Sequence, residues 1–178
     1  MCGIAGFISR EFLNNQKEGI SLLHKMTDAL SHRGPDHRGF SVEKNFQNMI
    51  AFGHRRLSII DLNETSNQPM SYENLIMIFN GEIYNYIEIR KKLKTKGYTF
   101  KSNGDTEVLI KAFHFWGMEA LKNLNGMFAI ALYDKQLKKI YLIRDRFGVK
   151  PLLYSKSQKS FYFASEARSL YLAKKYSL

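Results

Sequence analysis

Four runs decide the fold: Met127-Phe128-Ala129-Ile130-Ala131-Leu132-Tyr133, Ile140-Tyr141-Leu142-Ile143, Leu152-Leu153-Tyr154 and Phe161-Tyr162-Phe163-Ala164. Each is short, apolar or alternating, and rich in the branched and aromatic residues that suit a pleated surface. The gaps between them are too short for crossover helices, so the region predicts an antiparallel meander, not a parallel α/β sheet. Outward from it, further strand-like runs occupy Gly3 to Ile8, Ile50 to His54 and Leu75 to Phe79. Helical spacing appears in Leu22, Leu23, Met26, Ala29 and Leu30, more loosely in Ile83, Ile87, Ile89 and Leu93, and again in Val108, Leu109, Ala112, Phe113 and Trp116. Strands and helices fall in separate clusters, which predicts an α+β fold.

The chain has 178 residues, 44% hydrophobic and 13% aromatic, enough for one globular domain with a substantial core and against disorder. No repeat or low-complexity linker divides it, so residues 1–178 are expected to form one domain. The longest apolar runs are far short of a membrane span, and no basic leader precedes the first apolar residues. No membrane partner is expected. The net charge of +11 raises a nucleic-acid-binding reading, because a basic surface attracts polyanions. Lys91, Lys92, Lys94 and Lys96 cluster on one candidate helix while the other basic residues are scattered without a recognition motif, so solvated charge is expected and no nucleic acid. Cysteine occurs once, which allows no internal disulfide and no cysteine-rich metal site and fits a cytoplasmic address.

That one cysteine is Cys2. Excision of Met1 would leave a residue carrying both a thiol and a free α-amine, groups that titrate near pH ~8.5 and ~7.7–8.0 when unperturbed. Nucleophile and base would then share one residue, as in amino-terminal threonine hydrolases. A small buried residue opening a strand is the other reading of position 2.

Five segments bear on the choice: Met1-Cys2-Gly3-Ile4-Ala5-Gly6, His32-Arg33-Gly34-Pro35-Asp36, Gly53-His54-Arg55-Arg56-Leu57-Ser58-Ile59-Ile60-Asp61, Asn80-Gly81-Glu82-Ile83-Tyr84-Asn85, and Arg144 to Leu152. In this order they resemble the glutaminase domain of the asparagine synthetase family, class II glutamine amidotransferases, from Cys2 to about Ala167. The resemblance implies a four-layer αββα sandwich of antiparallel sheets, the amino-terminal-nucleophile hydrolase fold. It also implies hydrolysis of L-glutamine to glutamate and ammonia by Cys2, with transfer of the ammonia to an ATP-dependent amidation elsewhere.

The same resemblance assigns the site. Asn80 and the Gly81 N–H would form the oxyanion hole, although Asn-Gly between apolar residues is equally a hairpin signal. Arg56 would hold both oxygens of the substrate carboxylate at once through its planar guanidinium; Arg55 beside it should point to the opposite face of a strand. Leu57, Ser58, Ile59 and Ile60 would line the pocket, and Glu82 and Asp105 would bind the substrate ammonium group. Asp105, ahead of a helical pattern, also reads as a helix N-cap. His24, His32, His37, His54 and His114 are expected to be structural or exposed and not catalytic. Arg144 to Leu152 receives no catalytic residue.

No Ser-Gly-Gly-x-Asp ATP loop occurs, so the carboxy-terminal synthetase domain is expected to be absent from this chain. The chain is expected to need no cofactor or metal, with ATP and Mg belonging to a synthetase domain in cis or on a separate chain. A homodimer is a further candidate assembly. A silent glutamine-binding or regulatory domain of the same fold is the alternative function.

Overall fold

The computed structural model describes residues 1–174; the ending Lys175 to Leu178 lies outside the described residues. The chain folds as two compact units, one from Met1–Leu57 with the segment that starts at Pro151, the other Ser58–Lys150.

In the first unit, β1 (Gly3–Ser9), β2 (His37–Lys44), β3 (Met49–Arg56), β8 (Leu153–Lys156) and β9 (Ser160–Ala164) make one antiparallel sheet of order β2-β3-β1-β9-β8. Helix α1 (Gln16–Asp28) places Leu22, Leu23 and Met26 on one stripe. They bury with Ala5 and Phe7 of β1, Met49 and Ala51 of β3, and Tyr162 and Ala164 of β9. Odd positions of β1 and β3 thus face α1, and a short helix, α4 (Ala167–Tyr171), follows β9.

In the second unit the sheet order is β4-β5-β6-β7, from β4 (Met70–Tyr72), β5 (Leu75–Ile83), β6 (Gly126–Asp134) and β7 (Lys139–Arg144). Leu75, Met77, Phe79 and Ile83, alternate residues of β5, pack with Phe128, Ile130 and Leu132 of β6. The same core takes Ile89 and Leu93 from α2 (Tyr86–Lys94) and Val108, Leu109, Ala112 and Phe113 from α3 (Asp105–Trp116). On the other face of β5, Ile76, Ile78 and Asn80 are buried as well.

Every strand pair is antiparallel, as the sequence predicts. The single meander does not hold, however: β6 and β7 pair in one sheet, β8 and β9 in the other. The break is the Arg144–Lys150 segment, wrapped around Asp145, whose carboxylate accepts N–H bonds from Phe128, Phe147, Val149 and Lys150 at 2.8–3.2 Å. Burial alone would raise this carboxyl; the four donors hold it below the usual range. Two strands escape the sequence reading. β2 is a half-polar edge strand without an apolar run, and β4 has three residues. Ile83, read as helical, closes β5 instead.

Candidate active site

In the first unit the register of β1 on β3 pairs Gly3 with Arg55 and Ile4 with His54, so the next step brings Cys2 opposite Arg56. Alternation then separates the two arginines. Arg55 shares the α1 face and donates to the Asp28 carboxylate at 2.6 Å, which Arg38 also contacts at 2.9 Å. Arg56 shares the other face with Ile50, Phe52 and His54 and is 7% exposed. One arginine is thereby committed to a surface ion pair and its neighbour is withdrawn from solvent beside Cys2.

The Cys2 sulfur lies against the backbone just past β3. The Leu57 N–H donates to Sγ at 3.5 Å, and the thiol reaches the Leu57 carbonyl at 3.8 Å. The first contact serves thiol and thiolate alike; the second serves only the protonated form. Arg33 fixes the residue from behind, its Nε donating to the Cys2 carbonyl at 2.9 Å and its Nη1 to Glu166 at 2.9 Å. Burial opposes ionisation of Glu166, but Arg33 and His32 outweigh it and keep the carboxyl below the usual range. Gly34 lets the loop carrying Arg33 cross β3, since a Cβ there would come within 2.5 Å of the Arg55 backbone. The Asp36 N–H then bonds the Arg56 carbonyl at 3.1 Å. Arg33 was quoted in the sequence without a role; its signal was a basic residue immediately before Gly-Pro.

In the second unit Asn80, Gly81 and Glu82 are consecutive residues inside β5, paired with Ala129, Phe128 and Met127. The Asn-Gly hairpin reading is therefore corrected: the segment is extended strand, and Gly81 is not among the glycines with positive φ. Glycine is required there for proximity, because a Cβ would overlap the Met127 carbonyl oxygen. Asn80 is 1% exposed, and its Nδ2 has no hydrogen-bond partner among the described residues. Leaving a buried amide donor unmet costs about 1–3 kcal/mol, which marks it as a group kept for a visitor.

Asp105 is the first residue of α3. Gly104 holds the N-cap position, so the N-cap reading of Asp105 is corrected too. Its Oδ2 instead accepts the Ile83 N–H at 3.0 Å. Burial pushes this carboxyl from 3.8 up to about 6; the Ile83 donor opposes the shift and the nearby Glu82 charge adds to it. Two adjacent carboxylates, one of them 6% exposed, suit a cationic group. The loop carrying Ser58, Ile59 and Ile60 leaves Ile59 open to solvent and is tied down by Asp61. Asp61 accepts from Asn63, from Ser66 at 2.9 Å and from the Asn103 N–H at 2.8 Å, bonds that hold its carboxyl far below the usual range against its burial. The sequence-predicted residues thus gather as Cys2, Arg56 and Leu57 in the first unit, and as Asn80, Gly81, Glu82 and Asp105 in the second.

The Asp105 environment has a thermodynamic signature. Below pH ~4 the group is protonated in both folded and unfolded chains; between about 4 and 6 the folded state holds the proton more tightly, so stability falls as pH rises. The raised value costs about 1.4 kcal/mol per unit, roughly 3 kcal/mol in all above pH ~7. Asp105→Asn is expected to gain over wild type with increasing pH, from near zero at pH ~4 to about 2–3 kcal/mol at pH ~7.5, in denaturant unfolding. A gap that stays constant with pH would contradict the buried, Glu82-facing carboxyl.

Among the described residues no group of three or more His, Cys, Asp or Glu side chains could hold a metal ion, and no helix is long and apolar enough to cross a membrane. His32 meets Glu166, His114 accepts or donates at the Tyr98 hydroxyl, and His24 lies against the Phe40 ring.

Residues 1–177 match the family model described as a glutamine amidotransferase domain. The chain is 43% identical over 175 residues to asparagine synthetase [glutamine-hydrolyzing] 1 of Bacillus subtilis, covering 97% of this chain and 27% of that protein. It is 37% identical to asparagine synthetase [glutamine-hydrolyzing] 3 of the same organism, covering 96% and 27%. The chain thus spans about a quarter of the length of these relatives. Among solved structures, glutamine phosphoribosylpyrophosphate amidotransferase from B. subtilis, complexed with ADP and GMP, superposes with a TM-score of 0.79 at 20% identity, over 97% of this chain and 44% of that one. The likeness shows the fold and agrees with the α+β class of antiparallel sheets expected from the sequence.

Proposed function

Because this chain belongs to the glutamine amidotransferase domain family, we propose that it is one such domain and hydrolyses L-glutamine to glutamate and ammonia through Cys2. The observation that carries the proposal is the Asn80 amide, a buried donor held without a partner among the described residues, inside a strand whose next residue is glycine. A developing oxyanion is the ligand that repays such a donor.

The chemistry assigns each residue one task. With Met1 removed, the Cys2 α-amine takes the thiol proton, directly or through water, and Sγ attacks the side-chain amide carbon of glutamine. Asn80 and the Gly81 N–H receive the negative oxygen of the tetrahedral intermediate. Its collapse breaks the C–N bond, the amine returns the proton to the departing ammonia, and a γ-glutamyl thioester remains. Water then cleaves the thioester, releasing glutamate and the free thiol. Arg56 receives the substrate α-carboxylate, Glu82 and Asp105 its α-ammonium group, and the Leu57–Ile60 backbone the chain between. No step calls on a cofactor. The relatives named asparagine synthetases suggest that the ammonia goes to an ATP- and Mg-dependent synthetase part, in cis or on another chain, acting on aspartate. A sequence with a single cysteine, which allows no internal disulfide, supports a cytoplasmic address.

The test is an intact mass spectrum before and after exposure to an electrophilic glutamine analogue, with excess glutamine as competitor. Loss of Met1 and a single adduct on Cys2, suppressed by glutamine, is the expected result. A processed chain that stays unmodified would replace the enzyme with a silent domain.

A further inference from the structure

Strand β5 has one edge on β6 and the other on β4, but β4 ends its pairing at Met77, and among the described residues no strand lies on that side of Ile78 to Ile83. Register identifies which N–H groups face the vacant edge. Gly81 is opposite Phe128, and Phe128 turns both its polar backbone groups the other way: its N–H goes to Asp145 Oδ2 at 3.2 Å, and its carbonyl accepts the Asp145 N–H at 2.8 Å. Gly81 and Phe128 therefore form a non-hydrogen-bonded pair, and the N–H groups of Phe79, Gly81 and Ile83 all point to the open edge. The Tyr84 N–H, of opposite parity, bonds Asn125 at 2.8 Å on the β6 side.

Two side chains occupy that edge in place of a strand. Gln68 Oε1 accepts the Phe79 N–H at 2.6 Å, and Asp105 Oδ2 accepts the Ile83 N–H at 3.0 Å. Gln68 is 5% exposed, and its Nε2 lies 3.5 Å from the Thr106 hydroxyl, one residue from Asp105 at the start of α3. Another strand would have consumed all three donors. Separate side chains satisfy the first and third and leave the middle one, that of Gly81, directed outward.

We propose that Gln68 is a positioning residue for glutamine hydrolysis: it pins the Phe79 peptide so that the Asn80 amide and the Gly81 N–H keep the direction that the oxyanion needs. The assignment rests on the glutaminase reading given above. Donors aimed at the transition state contribute to kcat, with little effect on ground-state binding.

Glutamate release by the Met1-processed chain is measured for wild type, Gln68→Met, Gln68→Asn and Gln68→Glu, alongside amide hydrogen exchange at Phe79. Gln68→Met removes the acceptor and is expected to lower kcat roughly 10- to 100-fold with KM within about threefold. Gln68→Asn, one methylene short, should move the same way, whereas Gln68→Glu keeps an oxygen in place and should stay within about fivefold of wild type. Exchange at Phe79 should accelerate about tenfold or more in Gln68→Met and remain slow in Gln68→Glu. Unchanged kcat in Gln68→Met and Gln68→Asn, or equal losses in all three variants, would overturn the positioning role while leaving the glutaminase reading intact. Absence of turnover in processed wild type would remove that reading and the positioning role together.

Discussion

Protein that keeps Met1 is expected to release no glutamate from glutamine, and removal of that single residue is expected to switch turnover on. With Met1 attached the Cys2 nitrogen is a peptide amide, which cannot accept the thiol proton or carry it to ammonia. The sulfur would still lie against Leu57 and Arg33 would still hold the Cys2 carbonyl, so the loss would be chemical and not structural. Cys2→Ala in the processed chain should cost as much, on the order of 10⁴-fold or more, because nucleophile and carrier act as a unit. Release of glutamate is compared between homogeneous unprocessed and processed protein. Appreciable turnover by the unprocessed form would reject the proton path through the α-amine.

Replacement of Asn80 should separate activity from stability. Asn80→Ala is expected to lower kcat by about 10²–10³ with KM nearly unchanged, since the donor acts on charge that exists only in the transition state. The same change should leave the fold as stable or more so. Wild type carries a buried Nδ2 without a partner among the described residues, and Asn80→Leu, which fills the space with apolar atoms, should raise unfolding stability by about 1–2 kcal/mol. Steady-state kinetics and denaturant midpoints on the same preparations decide it. Loss of stability in step with loss of activity would mean that Asn80 is structural.

Much of this was legible in the chain. Strand-forming runs at Gly3, Ile50, Leu75 and Met127 fell where β1, β3, β5 and β6 form, because each is apolar on both faces and has few alternatives. The separation of Arg55 from Arg56 followed from the two-residue period of a strand. Local pattern failed where a distant partner decides. Asn80-Gly81 carries turn propensity, yet β6 extends it into a strand; β2 lacks an apolar signature because none of its residues is fully buried on either face. Gln68 showed nothing in sequence, and Asp61 and Asp145 lay in the quoted segments without a role, since the backbone N–H donors these side chains accept from, at Phe79, Asn103 and Lys150, are brought to them only by folding.

The order of strands in the first sheet also sets a schedule for synthesis. β1, the strand that begins one residue after Cys2, lies between β3 and β9. One of its edges can be filled once Arg56 has been made, but the other waits for Ser160–Ala164. At about 5–20 residues per second the ribosome needs roughly 5–20 s to cover that interval. Throughout it the amino terminus belongs to an unfinished sheet, so the removal of Met1 that the proposed chemistry requires can be completed before the structure that would use it exists.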